Sequence, residues 1–472
     1  MNELLSTLFG GKSVTLLGAG VSNLPLARAA APYCASLTVR DMKSPDALGD
    51  AAAELVSLGA KLITGPDYLA GIPAGELVFR SPGIRPDLPE LTDAVSRGAV
   101  LTSEMELFLS LERCPTFAIT GSDGKTTTTT LTSLLLEVPG TVFIGGNIGK
   151  PLLYRAGEIT GNDALAVELS SFQLMTVDAP LEVAAITNIT PNHLNWHTSM
   201  DEYIAAKRNV LKKCGRAVLN YDNDVTRAIA FDRQKTTERP LTFFSLSPLP
   251  DGVLRPQDSA VWLDGETIFS FFPDDGKTEL LTRREIKLPG LHNVANLMTA
   301  IAVTHGHTSR EKIRTVAATF GGVEHRLEFV RELDGVTYIN GSIDSSPTRT
   351  AAALSALADR PVVLIAGGSD KHISYAPFAE AVFSSTVRVV VATGETLPKI
   401  RDALMEHPLY ADKIAAGFVL RCEPDFDTAV RIAKDAACPG DTVILSPASA
   451  SFDRFRNFEE RGRHFKDLVN GF

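Results

Sequence analysis

Short apolar runs recur along the chain. Each ends at a turn rich in Gly, Ser or Pro and leads into a stretch with helical spacing. Ser13–Leu17 (SVTLL) reads as a buried strand entering the turn GAGVSN. Ser36–Val39 reads as a second strand ending in Arg40-Asp41, and Leu77–Phe79 as a third before Ser81-Pro82-Gly83. A second block begins near Glu104. There Pro115–Thr120 runs into Gly-Ser-Asp-Gly-Lys and a Thr-rich helix, and Ala164–Leu169 and Val183–Ile189 are further buried strands. Asp201 to Lys213 has helical spacing, with Asp201 as the expected N-cap. A Pro-rich stretch from Arg239 to Pro289 contains a hairpin at 261–269 with an Asp264-Gly265 turn, and helix returns at Leu291–Thr304. A third block begins near Gly321. It has a hairpin about Asp334-Gly335 and strands at Val362–Ala366, Val387–Ala392, Phe418–Leu420 and Thr442–Leu445. Strands alternating with helices in this way predict α/β structure on mostly parallel sheets.

Length and charge narrow the picture. The chain has 472 residues, which at roughly 100–200 residues per domain predicts about three domains. Its 46 Lys+Arg against 56 Asp+Glu give a net charge of −10, which argues against a general nucleic-acid or membrane-surface binder. Hydrophobic and charged fractions of 44% and 22% exclude a disordered, collagenous or disulfide-scaffold chain. The five cysteines are scattered without a CxxC pair, so no zinc or redox motif is indicated, and a reducing cytoplasm is expected. No signal peptide or membrane span is expected.

The strongest chemical motif is Gly121-Ser122-Asp123-Gly124-Lys125-Thr126-Thr127, between an apolar strand and a helix. Amides of such a turn cradle phosphate oxygens, the lysine reaches the terminal phosphates and the first hydroxyl after it can ligate Mg²⁺. The usual Walker spacing fails because Ile119 stands where the first Gly belongs, and an ordinary turn with a solvent lysine is the bland reading. Gly18-Ala19-Gly20-Val21-Ser22-Asn23, with Asp41 ending the next strand, fits a nucleotide turn or a plain tight turn equally well. Glu168 at a strand end and His193 after another are Mg²⁺-ligand candidates, His193 only because the phosphate motif is present. On its own pattern Lys207 reads as a surface lysine, and Arg326 as either a phosphate ligand or a surface charge. The segments 367–371 (GGSDK) and 446–452 (SPASASF) place small polar residues after buried strands, which suits an anionic small molecule.

Taken in order along nearly the whole chain, these strings resemble the Mur ligases, the ATP-dependent amino-acid-adding enzymes of peptidoglycan synthesis. They are GAGVSN, SPG, GSDGKTT, GGNIGKP, ELSSFQL, ITNITPNHL, YIAAKRNVL, LHNVANLMTA, EHRLE, GGSDK and SPASASFDRFRNFEERG. The SPASASFDRF string points within the family to its D-glutamate-adding branch. The resemblance implies three domains: a Rossmann-like 1–103 for a UDP-substrate, a P-loop 104–321 for ATP, and a Rossmann-like 322–472 for the amino acid. It implies UDP-N-acetylmuramoyl-L-alanine and D-glutamate as substrates, ATP, two Mg²⁺ ions, an acyl-phosphate intermediate and a monomer.

By the same resemblance Gly20, Val21, Ser22, Asp41 and Gly83 would line the uridine diphosphate, with Asn147 beside the acceptor. Residues 121–127 would hold ATP phosphates, with Asn293 and Asn296 near adenine and Arg326 meeting phosphate. Glu168 and His193 would join Thr126 at Mg²⁺, and Lys371, Ser451 and Phe458 would bind D-glutamate. Lys207 stands where the family carries a carbamylated lysine, so it would be catalytic, with Lys125 and His193, and a metal ligand as its carbamate. The family usually has Asp at the position of Gly341 and often Lys at that of Ile343, and Asp344 is the candidate replacement for the missing carboxylate. A sibling amide ligase, including a folylpolyglutamate synthase type, and a catalytically silent nucleotide-binding regulator are the alternatives.

Overall fold

The computed structural model describes residues 2–472 except Val21, Ser22, Lys150, Asn195, Pro289, Ala358, Asp359 and His372, with Asn2 and Tyr154 described by their backbone only. The chain folds as two compact units, Met1–Thr319 and Phe320–Phe472. Among the described residues, every α/β block expected from the hydrophobic pattern carries one sheet.

In the first unit, β1 (Ser13–Leu17), β2 (Ser36–Asp41), β3 (Lys61–Thr64), β4 (Leu77–Arg80) and β5 (Val100–Thr102) form a parallel sheet in the order 3-2-1-4-5. A second sheet follows, of β6 (Thr116–Thr120), β7 (Val142–Gly146), β8 (Ala164–Glu168), β9 (Leu181–Ile186), β10 (Cys214–Asn220), β11 (Leu241–Ser245), β12 (Ser259–Asp264), β13 (Thr267–Phe272) and β14 (Gly276–Thr282). Its order is 14-13-12-11-10-9-6-8-7, and only β13 runs against the other strands, pairing antiparallel with β12 and β14. β6 and β8, which bear the P-loop and Glu168, are neighbours just inside its β7 edge and are buried at every position, as doubly covered parallel strands must be. One continuous apolar core joins the two sheets, with Phe79 from the first, Phe9 from the N-terminal helix Asn2–Phe9 against it, and Phe108, Leu152 and Leu153 leading to the second.

The second unit holds β15 (Glu328–Leu333), β16 (Val336–Asn340), β17 (Val362–Gly367), β18 (Val387–Thr393), β19 (Val419–Cys422) and β20 (Thr442–Leu445), in the order 15-16-20-17-18-19. The β15–β16 hairpin turns at Asp334 and Gly335, whose φ values of 53° and 76° suit a two-residue turn that needs left-handed backbone at both positions.

Two local expectations are corrected. Ser199, not Asp201, caps the Met200–Arg208 helix, accepting from the Glu202 amide at 3.1 Å and leaving Asp201 and Glu202 to favour the helix N-terminus from its first turn. The β12–β13 turn is Gly265-Glu266, because Asp264 pairs with Thr267 and belongs to the strand. No described helix is long and apolar enough to cross a membrane, and all five cysteines are free thiols.

Candidate active site

The turn after β6 is shaped by contacts that require its glycines. Gly121 has φ 149°, and a Cβ there would lie 1.9 Å from Thr187 Oγ1. Gly124 has φ 77°, and its Cβ would lie 2.3 Å from Asn296 Oδ1. Thr187 donates its hydroxyl to the Asp123 carbonyl at 2.6 Å, and the Asp123 amide donates to Asn188 Oδ1 at 2.9 Å. The Lys125–Leu135 helix starts directly after Gly124 with no side-chain cap, so its first amides face the turn's concavity. Lys125 folds back over the loop, with Nζ donating to the carbonyls of Gly121 at 3.0 Å and Ser122 at 2.7 Å.

Around this loop the structure gathers most of the expected residues of the first unit. Glu168, buried at the end of β8, accepts from Thr126 Oγ1 at 2.7 Å and from Asn147 Nδ2 at 2.9 Å. Asn296 accepts from the Thr128 hydroxyl at 3.3 Å and donates to Asn293 at 3.2 Å, so both asparagines stand at the helix behind the loop. His193 is exposed with φ 56°, and its ring meets Phe172 edge-on at 5.0 Å. Partial burial, then the charges of Lys125 and Lys207, lower its pKa and favour the neutral imidazole.

Lys207 is not a surface lysine. It is 2% exposed, and its Nζ donates to the Gly121 carbonyl at 2.6 Å and lies 4.7 Å from the centre of the Tyr203 ring. Burial, then the neighbouring Lys125 charge, bring its pKa down to about 7. Tyr203, which sequence reasoning did not single out, shares a hydrogen bond of 3.0 Å with Ser122 Oγ. Its signal was its position four residues before Lys207 on one helix face.

At the first sheet, Asp41 accepts from the Ala19 amide with one carboxylate oxygen and from the Lys43 amide with the other, both at 2.8 Å. It therefore organises the GAG turn, in which Gly20 is exposed, while Val21 and Ser22 lie outside the described residues. The Gly83 carbonyl accepts from Trp196 Nε1 at 2.8 Å, which ties that segment to the loop bearing His193.

In the second unit, the loop after β16 is the hub. Lys371 Nζ donates to the Ser345 carbonyl at 2.9 Å and hydroxyl at 3.1 Å. The Phe458 carbonyl accepts from Ser342 Oγ at 2.8 Å, and Ile343 N donates to the His325 carbonyl beside Arg326 at 3.1 Å. Ser451 is buried at the adjoining loop after β20, where its carbonyl receives the Phe455 amide at 2.8 Å. Arg461, another residue the sequence reading passed over, is 1% exposed and clamps this hub, donating to Ser342 Oγ at 3.0 Å and to the Ala450 carbonyl at 2.8 Å.

Asp344 turns its carboxylate into the space a side chain at 341 would fill. A Cβ on Gly341 would lie 2.7 Å from Asp344 Oδ2 and 2.8 Å from the Leu445 carbonyl. The carboxylate accepts from Ser446 Oγ at 2.9 Å, and burial raises its pKa to about 6 against the charges of Arg326, Arg349 and Arg461. Gly341→Ala is accordingly expected to destabilise the protein by about 1–3 kcal/mol, the usual range for overpacking. Chemical denaturation of wild type and variant checks this.

Among the described residues, no cluster of three or more His, Cys, Asp or Glu is arranged to hold a metal. The hydroxyl of Thr126 and the carboxylate of Glu168 nevertheless suit Mg²⁺, which is commonly bound by one or two carboxylates together with substrate phosphates rather than by an all-protein cage.

The Mur ligase middle domain matches residues 119–304, and the Mur ligase glutamate ligase domain matches residues 325–449. A UDP-N-acetylmuramoylalanine–D-glutamate ligase of Ruminiclostridium cellulolyticum is 42% identical over 463 residues, covering 97% of this chain and 96% of its own. One from Clostridium novyi is 43% identical, with the same coverages. The solved structure of UDP-N-acetylmuramate–alanine ligase MurC from Thermotoga maritima superposes with a TM-score of 0.51 at 16% identity, covering 97% of this chain and 99% of that one, which supports the fold. With relatives this similar along almost its entire length, the chain belongs to the Mur ligase family.

Proposed function

We propose that the protein is an ATP-dependent ligase that adds D-glutamate to UDP-N-acetylmuramoyl-L-alanine in the cytoplasm, as a step of peptidoglycan precursor synthesis. The observation that carries the reading is a strand–turn–helix phosphate cradle with Lys125 over it and Glu168 and Lys207 against it. The relatives' shared name supplies the substrates.

The acceptor's L-alanyl carboxylate takes the γ-phosphoryl group of ATP, and the amine of D-glutamate then displaces phosphate from the acyl phosphate. In-line phosphoryl transfer needs position and charge more than covalent help. The amides of 121–127 and the helix N-terminus hold the phosphates, Lys125 offsets charge on the transferred group, and Asn293 and Asn296 flank the adenine. Mg²⁺, when bound, neutralises phosphate charge, and Thr126, Glu168, His193 and carbamylated Lys207 are the residues that would hold it. Asp41, Gly20 and Gly83, with Val21 and Ser22, take the uridine diphosphate, and Asn147 meets the acceptor. We assign the uridine diphosphate to domain 1–103, ATP to domain 104–321 and D-glutamate to domain 322–472 of a monomer.

Lys371, Ser451 and Phe458 take D-glutamate, whose two carboxylates call for cationic and hydroxyl donors. Lys371→Ala and Ser451→Ala are expected to raise the KM for D-glutamate by one to two orders of magnitude, about 1.4 kcal/mol for each tenfold, with little effect on the KM for ATP. If ATP's KM rises instead, the second unit has been given the wrong substrate. Acceptor-dependent ADP release, assayed against a panel of amino acids, tests the whole reading. Release without acceptor, or with no amino-acid preference, would refute it.

A further inference from the structure

Beside the phosphate loop, the first unit contains a run of four side chains that none of the roles above uses. Arg85 forms a two-pronged ion pair with Glu202, Nη2 to Oε1 at 2.7 Å and Nη1 to Oε2 at 3.1 Å. Glu202 Oε2 lies 3.0 Å from His197 Nδ1, and His197 Nε2 lies 2.9 Å from Ser171 Oγ. The His197 side chain is fully buried and Ser171 is 2% exposed.

The chemistry of the partners fixes the protons. Glu202 also accepts from the Thr198 amide at 2.9 Å, and beside Arg85 its carboxyl is held ionised, at about 2. An ionised carboxylate can only accept, so Nδ1 carries the hydrogen. Burial of the ring favours its neutral form, leaving Nε2 bare to accept from the Ser171 hydroxyl.

Serine, imidazole and carboxylate stand in the order of a nucleophilic triad. Ser171 is enclosed, however, and Phe172 stacks on the imidazole at 5.6 Å, so no substrate reaches the hydroxyl. What the chain does touch is telling. Ser171 opens the turn that leaves the Glu168 strand end, and that turn is already stiffened by a capping box between Ser170 and Gln173. Glu202 sits on the helix that carries Tyr203 and Lys207. Arg85 follows Gly83, and its guanidinium lies 5.1 Å from the centre of the Trp196 ring.

We propose that Arg85, Glu202, His197 and Ser171 form a positioning relay that fixes the Glu168 strand end against the Lys207 helix, with His197 as its central positioning residue. The activity part of the proposal rests on the ligase reading above. The imidazole makes both links at once, with its donor and its acceptor on two sides of one rigid ring.

Three variants of the full-length protein dissect it. His197→Asn keeps a donor near Nδ1 and loses the Ser171 link. His197→Gln places an amide oxygen near Nε2 and loses the Glu202 link. Ser171→Ala removes only the serine donor. Each is expected to lower kcat for acceptor-dependent ADP release by about 10–100-fold, the range seen when a group supporting a ligand is removed. KM values should not change, and melting curves should show the protein folded at the assay temperature. Ser171→Ala combined with His197→Asn should be no worse than His197→Asn alone, because both remove the same bond.

Independently, ¹⁵N NMR of wild type should show one histidine, lost in His197→Gln, as the neutral Nδ1–H tautomer at pH 7. A protonated Nε2 would overturn the relay, as would additive losses or a kcat that falls only with the folded fraction. If wild type shows no acceptor-dependent ADP release, it is the ligase reading that fails, and the tautomer decides the relay by itself.

Discussion

Lys125→Ala is expected to remove ligation while leaving the protein folded. In comparable sites, a preorganised group aimed at developing charge contributes roughly 3–4 kcal/mol, so acceptor-dependent ADP release should fall by at least about 10²–10³-fold. The fold should tolerate the change. The Lys125 Nζ bonds to two carbonyls of its own loop. The loop's shape is set by other groups: Thr187 and Asn188 hold Asp123, Tyr203 holds Ser122, and Asn296 abuts Gly124. Melting and turnover are therefore measured together. Near-wild-type turnover in a folded variant would remove the phosphate role from this loop.

The phosphate loop was legible because its signals are local. An apolar strand, a Gly-Ser-Asp-Gly turn and a Thr-rich helix lie within twenty residues of sequence, and the structure reproduces that order as β6, loop and helix. The Asp334-Gly335 hairpin was legible for the same reason. Lys207 was not. Its helix has alternating charges and reads as a solvated face, and only packing against the Gly121 carbonyl, 86 positions away, buries the amine. The relay through His197 joins residues up to 117 positions apart, and no periodicity encodes such a juxtaposition. Strands β10 and β11 escaped notice because CGRAVLN and LTFFS carry polar residues inside the sheet, where Thr242 and Ser245 are buried. The misplaced cap has a competing-residue explanation. Ser199 and Asp201 both favour N-caps, and Ser199 lies exactly three residues before the Glu202 amide that it accepts from.

Lys207→Ala is expected to cost orders of magnitude in turnover, because we propose that this lysine works as a carbamate. Lys207 is 2% exposed, and its amine stands 2.6 Å from a P-loop carbonyl. An ammonium there would face bound cations as a like charge. Loss of one proton gives the neutral amine, and its reaction with CO₂ forms an N–C bond and releases a second proton, so the net change from the ammonium is +1 to −1 and adds the hard oxygen donors that Mg²⁺ prefers. The reaction needs a deprotonated amine, and burial together with the Lys125 charge supplies one by bringing the pKa to about 7. The sign follows directly. Below pH 7 the amine is increasingly protonated, so carbamate occupancy should fall on the acid side and rise toward pH 8. Labelled ¹³CO₂ should give a carbamate carbon resonance in wild type that is missing from Lys207→Ala. Formate or acetate, which can place a carboxylate in the vacated space, should restore part of the variant's turnover. A buried lysine that merely braces the loop would give no labelled resonance and no rescue. Full turnover of Lys207→Ala in CO₂-depleted buffer would show that the group has no part in the reaction.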